Sequence, residues 1–286
     1  MPVKGVIVAA GYGSRFLPIT RCLPKEMLPI VDRPAVDFIV QEYIDAGIED
    51  ILVITSRRKK VLEDWFDRHP ELELAMADSP KKLAKLEPPK ARVHFIRQHA
   101  MKGTGHAILH ARTFAGNDPV VIAFPDDLFT GGNCAADLIA AYEKTGCSVM
   151  SALDLPGEDV SRYGVLEPMD RDDKVIGVRR IVEKPAKGTE PSTLVSLGRY
   201  LYTPEIFQLL AEGLERHAEG EGEYFPSDGI NTLGAEGKVV AAVVDAVRRD
   251  TGQPFEYMQA VVELALEHEA IGDRFRAWLK ERSASL

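Results

Sequence analysis

Short β-branched runs and amphipathic helical patterns alternate along the first half of this chain, and few folds accommodate that order. Successive strand–helix–strand units form a parallel sheet with helices packed on its faces. We therefore predict an α/β fold built on a mostly parallel central sheet. The predicted strands are Val3 to Ala9, Asp50 to Thr55, Arg92 to Arg97 and Pro119 to Phe124, and the predicted helices are Pro34 to Ala46, Arg57 to Phe66 and about Gly103 to Phe114.

After residue 146 the pattern changes to successive strands separated by turns. We expect these strands to form a mixed-sheet extension that closes over the edge of the parallel part. Two helices are predicted near the end of the chain, at Pro254 to Ala270 and Asp273 to Lys280, and the segment Pro70 to Lys90 is predicted to be one surface helix. The predicted strands are Ser148 to Asp154, Tyr163 to Pro168, Val175 to Glu183, Leu194 to Thr203 and Lys238 to Val244.

The composition limits the classes of function. With 286 residues, 45% of them hydrophobic, the chain can bury the core of one large domain. The formal net charge of −9 argues against general nucleic-acid binding, so an anionic substrate requires a locally basic cleft. Cys22, Cys134 and Cys147 have no CxxC spacing, which favours a reducing cytoplasm. We expect neither secretion nor membrane insertion, because no apolar run approaches bilayer length.

The first thirty residues carry the clearest functional signal. The apolar run Val6 to Ala10 leads into a glycine loop, Gly11 to Arg15, and then into the segment Pro24 to Pro29. Glycines let backbone N–H groups approach an anion closely, and Arg15 and Lys25 add positive charge. Because ligands of open α/β sheets bind at the carboxyl ends of the strands, this loop is a candidate phosphate site.

Two common nucleotide-binding motifs do not match this loop. Phe16 occupies the position where a dinucleotide-binding fingerprint requires its third glycine, and Asp32 lies in a predicted turn rather than at a strand end. A P-loop would need a Gly-Lys-Ser/Thr sequence after Gly11, which is absent. Taken alone, the glycine loop is as compatible with a tight turn that carries surface cations as with a phosphate site.

The loop is followed by an ordered series of further motifs. Together with Gly11 to Arg15 and Pro24 to Pro29, the series resembles the sugar-phosphate nucleotidyltransferases and is most similar to the bacterial UTP-glucose-1-phosphate uridylyltransferases. The further motifs are Arg97-Gln98, Lys102 to Ala107, Pro125-Asp126, Tyr163 to Val165, Val182 to Pro185, Gly198 to Tyr200, Asp250 to Gly252, Tyr257 to Ala260 and Phe275 to Leu279.

This resemblance implies a single nucleotidyltransferase domain over residues 1–286 with the Rossmann-like nucleotide-diphospho-sugar transferase fold. The nucleotide-binding half would span about 1–146, a strand-rich sugar-phosphate-binding half about 147–252, and C-terminal helices about 253–286. The implied reaction makes UDP-glucose and pyrophosphate from UTP and glucose 1-phosphate with Mg²⁺ as cofactor. The implied assembly is a cytoplasmic homodimer or homotetramer.

The resemblance also implies roles for individual residues. Arg15, Lys25 and Lys184 would be the catalytic cations, with Arg15 and Lys25 on the triphosphate and Lys184 on the sugar phosphate. Asp126 and Asp250 would hold the metal, and Gln98 and Gly103 would read the uracil edge. The implied nucleotide-binding residues are Ala9, Ala10, Gly11, Gly13, Ser14, Gln98, Gly103 and Asp126, and the implied sugar-phosphate-binding residues are Gly164, Glu183, Lys184 and Gly198.

Several alternatives stay open at this level. The segment Gly222 to Asp228 differs inside from the family pattern, so the same chemistry with dTTP or another sugar 1-phosphate is one alternative. A catalytically silent regulatory relative is another. We interpret Asp127 as a cap of the following turn, and the pair His106 and His110 as helix surface or packing residues. The basic run Arg57 to Lys60 is interpreted as a solvated helix start.

Overall fold

The computed structural model describes residues 2–169, 174–218 and 222–284. Its strands are β1 (Lys4–Val8), β2 (Pro29–Ile30), β3 (Arg33–Pro34), β4 (Asp50–Thr55), β5 (Arg92–Arg97), β6 (Val120–Ala123), β7 (Asp127–Thr130), β8 (Ser148–Asp154), β9 (Gly164–Pro168), β10 (Val175–Glu183), β11 (Leu194–Tyr202), β12 (Val239–Val243) and β13 (Val247–Asp250). Its α-helices are α1 (Ala35–Asp45), α2 (Lys60–Phe66), α3 (Pro70–Ala75), α4 (Pro80–Leu83), α5 (Thr104–Leu109), α6 (Arg112–Ala115), α7 (Cys134–Thr145), α8 (Glu205–Arg216), α9 (Ser227–Ala235), α10 (Pro254–Glu267) and α11 (Gly272–Ser283).

One central sheet runs through most of the described chain in the order β5-β4-β1-β6-β11-β8-β12-β10-β9. Strands β5, β4, β1 and β6 pair in parallel, as the alternating pattern predicted. Strand β11 enters antiparallel between β6 and β8, and β12 returns parallel to β8. Antiparallel β10 and β9 complete the strand-rich extension. The prediction of a mixed, mostly parallel sheet flanked by helices is confirmed.

The sheet is buried on both faces, which explains why β6 and the middle of β1 consist of apolar residues. Successive residues of β1 point to opposite faces. Val6 belongs to the core beneath α5 and α8, and Ile7 belongs to the core beneath α1 and α7. Neither face of β1 or β6 meets solvent, so polar residues appear where these strands end. The carboxyl edge of the sheet, where we expect ligands to bind, can therefore be located in the sequence from the residues that follow these apolar runs.

Strand bounds were predicted to within one residue, whereas several helices were not. The prediction of one surface helix over Pro70 to Lys90 is wrong, because α3 ends at Ala75 and α4 begins at Pro80. Proline lacks a backbone N–H and disfavours helical backbone in the residue before it, here Ser79. The predicted helix Gly103 to Phe114 is likewise two helices. Among the described helices, none is long and apolar enough to span a membrane.

A two-stranded ribbon beside the main sheet was not predicted. Strand β7 begins directly after the turn that ends β6, and it pairs antiparallel with β13. The register places Asp127 opposite Asp250. A backbone hydrogen bond of 2.7 Å from Thr251 N to Asp126 O continues this pairing. The ribbon thus brings acidic residues from two distant parts of the sequence to the carboxyl edge of the sheet.

Candidate active site

A cavity of about 330 Å³ lies at the carboxyl edge, between the parallel strands and the strand-rich extension. A larger surface groove of about 800 Å³ borders residues 157–160 and 187–193, but its described lining includes no predicted site residue. Six predicted site residues line the 330 Å³ cavity, namely Arg15, Asp126, Gly164, Glu183, Gly198 and Asp250. The nucleotide and sugar halves of the predicted site therefore meet in one space.

The glycine loop follows β1 and turns sharply at Gly13. Gly13 has φ +66°, a conformation that glycine adopts without steric cost, and it precedes a short 3₁₀ turn, Ser14–Phe16. The Thr20 hydroxyl donates a hydrogen bond of 2.9 Å to the Gly13 carbonyl. Ala9 and Ala10 are buried at the end of the strand, whereas Gly11, Ser14 and Arg15 are exposed. The structure thus anchors the loop and leaves its Arg15 side chain on the cavity wall.

Lys25 lies behind the cavity and pairs with Asp126. Its Nζ donates a hydrogen bond of 2.8 Å to Asp126 Oδ2. Burial acts to lower the pKa of Lys25, but the negative charges of Asp126 and Glu26 outweigh it, so the pKa is raised. Burial acts in turn to raise the pKa of Asp126, yet Lys25 and Arg15 keep it below its ordinary value. Both groups are therefore charged at neutral pH.

A second ion pair, which the sequence did not reveal, fills the space beside Asp126. Arg248 on β13 donates from Nε to Asp127 Oδ1 at 2.5 Å and from Nη2 to Asp250 Oδ2 at 3.3 Å. Burial raises the pKa of Asp127 to about 6, although Arg248 acts against that shift. Asp127, interpreted from sequence as a turn cap, is thus a buried partner of Arg248. Only the β7–β13 register brings these residues together.

Asp126 and Asp250 form the candidate metal site. A Cβ built on Gly252 would lie 3.1 Å from Asp250 Oδ1 and 3.2 Å from Asp126 Oδ2, so both oxygens border one small space. Within the described residues no group of three or more His, Cys, Asp and Glu side chains has the geometry of a metal site. Two carboxylates suffice for Mg²⁺, which usually takes its remaining ligands from water and phosphate. The donor set therefore fits the predicted ion.

Two of the predicted sugar-phosphate-binding residues, Gly164 and Glu183, lie on β9 and β10. Gly164 pairs with Glu183, and a Cβ on Gly164 would lie 2.6 Å from Ile181 Cδ1 and 3.2 Å from Glu183 Oε2, so a larger residue there would displace these two side chains. Partial burial raises the pKa of Glu183, and the charge of Lys184 opposes this. Lys184 is exposed, has φ +44°, and donates its backbone N–H to the Tyr163 carbonyl at 3.0 Å. It follows Glu183 but is not part of the cavity lining.

Gly198 contributes space for a carboxylate. A Cβ on Gly198 would lie 2.9 Å from Asp127 Cβ and closer still to a carboxylate oxygen of that residue. The next residue, Arg199, is fully buried and forms an ion pair of 2.8 Å with Glu42 on α1. Arg199 Nη1 also donates to the Gly198 carbonyl at 3.3 Å. Gly198 borders the cavity, but its nearest neighbour is Asp127.

The predicted base-reading residue Gln98 directly follows β5, and Gly103 directly precedes α5, whose first residue, Thr104, lines the cavity. Gln98 is buried, and its backbone N–H donates to the Thr55 carbonyl at 2.9 Å. Gly103 has φ +105°, and a Cβ there would overlap the backbone of Tyr224. Tyr224 N donates to the Lys102 carbonyl at 2.8 Å, and Gly105 N donates to the Tyr224 carbonyl at 2.9 Å. The segment that departs from the family pattern thus holds the base-reading loop in place.

The interpretation of Arg57 to Lys60 as a solvated helix start is wrong for Lys59. Its Nζ lies 2.8 Å from both carboxylate oxygens of Glu26, and both side chains are almost fully buried. Burial lowers the pKa of Lys59, and the Glu26 charge acts in the opposite direction. The missed residues at this site are therefore partners of predicted residues or of one another, namely Glu26, Lys59, Asp127 and Arg248.

Comparison with known proteins agrees with this arrangement. A family model described as nucleotidyl transferase matches residues 4–267. The chain belongs to this family. It is 38% identical over 284 residues to a UTP--glucose-1-phosphate uridylyltransferase of Staphylococcus epidermidis, covering 97% of each chain. A solved structure of a UTP-bound UGPase from Acinetobacter baumannii aligns with a TM-score of 0.89 and 31% identity, covering 98% of this chain and 99% of that one.

A second solved structure, a UDP-glucose pyrophosphorylase complexed with UDP-glucose, aligns with a TM-score of 0.82. Its identity to this chain is 34%, with coverage of 94% of this chain and 100% of that one. The similarity therefore extends across both halves of the nucleotidyl transferase fold. The resemblance inferred from the ordered motifs is confirmed.

Proposed function

We propose that this chain is an enzyme that transfers the uridylyl group of UTP to glucose 1-phosphate, releasing pyrophosphate and forming UDP-glucose. The observation that carries the proposal is the single cavity joining Arg15, Asp126 and Asp250 to Glu183 and Gly164. Relatives named for this activity match the chain over nearly its whole length. The reaction brings two anionic substrates together, and both positively and negatively charged side chains line this one cavity.

Nucleotidyl transfer needs positioning and charge neutralisation more than covalent catalysis. The sugar-phosphate oxygen attacks the α-phosphorus in line, one P–O bond forms, and the bond to pyrophosphate breaks. Arg15 is exposed on the glycine loop, where its guanidinium can bind the triphosphate and the leaving pyrophosphate. Lys25, held at 2.8 Å from Asp126, stabilises negative charge beside the reacting phosphate.

Asp126 and Asp250 are the residues that would hold Mg²⁺. Their oxygens border one space beside Gly252, and Arg248 fixes the Asp250 carboxylate from the opposite side. When bound, the ion would neutralise phosphate charge. Asp126 lies in the turn between β6 and β7, and Asp250 is the last residue of β13, so the ribbon that pairs β7 with β13 is part of the proposed site.

The sugar phosphate is assigned to the strand-rich half. Glu183 lines the cavity with a carboxylate that can accept hydrogen bonds from sugar hydroxyls, and Gly164 leaves the space above it open. Lys184 follows directly, and its exposed ammonium is available to bind the phosphate of the incoming sugar. Arg162 lines the same end of the cavity and adds a second positive charge.

We assign recognition of the base to Gln98 and Gly103. Buried amide and backbone groups select a base because the wrong base would leave them unpaired. Gln98 is 5% exposed and Gly103 carries a backbone conformation that excludes a side chain, so both are fixed before a nucleotide binds. Thr104, the next residue, lines the cavity and connects this corner to the phosphate site.

One observation favours a second candidate, the same chemistry on another sugar 1-phosphate. Phe225 and Pro226 line the cavity, and they belong to the segment that departs from the family pattern. An exposed aromatic ring on that wall changes the shape presented to the sugar. The nucleotide and the transfer step would be unchanged.

We further propose a cytoplasmic homo-oligomer, either a dimer or a tetramer. Free cysteines at positions 22, 134 and 147 are compatible with a reducing compartment. Phe255 and Met258 on α10 and Trp278 on α11 expose apolar surface that a second copy could cover. Light scattering of the purified chain measures the assembly directly.

The test is a matrix of initial rates for UTP, dTTP, CTP and GTP against several sugar 1-phosphates, measured as pyrophosphate release. The proposal predicts the highest kcat/KM for UTP with glucose 1-phosphate and loss of activity when Mg²⁺ is chelated. A clear preference for another sugar with UTP would favour the second candidate. Absence of pyrophosphate release from every pair would contradict both.

A further inference from the structure

His106 on α5 lies directly beside the proposed base-reading residue Gln98. The Gln98 Nε2 atom is 2.9 Å from His106 Nδ1 and 3.4 Å from the Gly103 carbonyl oxygen. The His106 ring also packs edge-on against His110, at 4.8 Å between ring centroids. Neither histidine belongs to a metal site within the described residues. The pair interpreted from sequence as helix surface or packing residues therefore includes one direct neighbour of Gln98.

These contacts fix the orientation of the Gln98 amide. A carbonyl oxygen only accepts hydrogen bonds, so the atom facing Gly103 must be the NH₂ group of Gln98. The same NH₂ group faces His106 Nδ1, which must then accept as well. His106 is therefore neutral, with its ring proton on Nε2. Both hydrogens of the amide are used, one by the backbone of Gly103 and one by His106.

This orientation leaves the amide oxygen as the group offered to a ligand. Gln98 Oε1 accepts no hydrogen bond from the described residues, and it is not among the buried polar atoms without a partner. An oxygen in this position accepts from a base that presents an N–H. Uracil carries a hydrogen on N3, whereas cytosine presents a bare, hydrogen-accepting N3 at that edge. A reversed amide would reverse this preference.

We propose that His106 is a positioning residue that holds the Gln98 amide with its oxygen toward the base and thereby selects uracil over cytosine. The inference rests on the proposed function, which places the base at Gln98. His106 does not touch the nucleotide in this account. It acts through one hydrogen bond, because the alternative orientation of the amide would place Gln98 Oε1 against Nδ1, and both of these atoms accept hydrogen bonds.

The environment of the ring keeps Nδ1 available as an acceptor. Burial, His110 and Lys102 lower the pKa of His106, and a backbone hydrogen bond to Ala100 opposes them. His106 is thus neutral at pH 7. Protonation of Nδ1 would turn the acceptor into a donor and repel the Gln98 NH₂ group. The pKa of His106 lies below 6.5, the ordinary value for histidine. Uracil selectivity is therefore expected to fall when the pH drops through this lowered pKa.

Equilibrium binding of nucleotides tests the inference without the sugar substrate. Dissociation constants for UTP, CTP and dTTP are measured by titration calorimetry at pH 7.5 on the wild type and on His106→Leu. Losing one hydrogen bond that fixes the amide is expected to reduce the CTP-to-UTP ratio of dissociation constants roughly tenfold. The dTTP-to-UTP ratio should not change, because thymine presents the same N3–H.

Two matched variants separate positioning from packing. His106→Asn offers a side-chain oxygen near the position of Nδ1 and is expected to retain most of the selectivity, without the loss at low pH. His110→Leu removes the neighbouring ring and should leave both ratios unchanged. An unchanged CTP-to-UTP ratio in folded His106→Leu, or an equal loss in His106→Asn and His106→Leu, would overturn the inference. Failure of the wild type to form UDP-glucose would instead contradict the proposed function, since binding is measured separately.

Discussion

The buried pair Glu26–Lys59 gives the sharpest prediction about stability. Glu26 directly follows Lys25, so this pair holds the backbone that carries a proposed catalytic cation. The Lys59 ammonium lies 2.8 Å from both carboxylate oxygens, and the two side chains are 6% and 0% exposed. Lys59→Met keeps the aliphatic chain and removes only the charge. The carboxylate of Glu26 then remains buried without its main partner.

The magnitude follows from that geometry. Removing one partner of a buried ion pair costs about 3–5 kcal/mol of unfolding free energy. Protonating an ordinary glutamate carboxyl at pH 7 costs about 3.7 kcal/mol, which limits the penalty from above. Lys25 interacts with the same carboxylate and supplies part of the lost charge. We therefore expect Lys59→Met to lower the free energy of unfolding by about 3 kcal/mol.

Urea denaturation at pH 7, followed by fluorescence, measures this difference. The double variant Glu26→Leu/Lys59→Met removes both charges and should lie within about 1.5 kcal/mol of the wild type, because apolar replacements of buried pairs are often nearly neutral. Lys60→Met, at the adjacent helix position, is the matched control and should change stability by less than about 0.5 kcal/mol. A loss below 1 kcal/mol for Lys59→Met, or additive losses in the double variant, would refute the argument.

Three further predictions concern the active site. Asp250→Ala and Lys184→Ala should each lower kcat by roughly 10²-fold or more in steady-state assays, because each removes charge from the transfer path; unchanged turnover in a folded variant would exclude the role. Glu183→Gln should abolish a pH dependence of the wild type, in which the KM for glucose 1-phosphate rises as the pH falls through the raised pKa of Glu183; parallel pH profiles for the two proteins would contradict this. Gly103→Ala should lower the free energy of unfolding by about 1–3 kcal/mol, because a side chain is strained at a φ of +105°. It should also weaken UTP binding, because the added Cβ displaces the Tyr224 backbone; a wild-type Kd for UTP in calorimetry would disprove the link between that loop and the base.

The sequence predicted the nine strands of the central sheet well, because most of them are short runs rich in apolar and β-branched residues. The same logic placed the glycine loop and Asp126 at one edge, since parallel strands end together, whereas Gln98 was assigned through the resemblance. Lys59 was misread because a charged residue beside three other cations looks solvated, and only the fold brings Glu26 to it. Burial of charge is decided by distant partners, which local patterns do not contain.

The carboxylate cluster shows the same limit. Asp126 and Asp250 were found through the resemblance, but Arg248 and Asp127 carried no local signal for their pairing. Their contact depends on the register of β7 against β13, two four-residue strands separated by more than a hundred positions. Tyr224 is a similar case, because its side chain packs against Gly105 and Gly213, which are remote from it in sequence. These parts of the site depend on contacts between residues that are distant in sequence, which local secondary-structure propensity does not predict.

The most direct test of the central claim is identification of the product made by the purified chain. UTP and glucose 1-phosphate are incubated with Mg²⁺ and the chain, and the mixture is resolved by ³¹P NMR. The account predicts UDP-glucose and pyrophosphate in equal amounts, with no UMP, and the reverse reaction from these products. Consumption of UTP without UDP-glucose, or no reaction under any ratio of substrates, would contradict it.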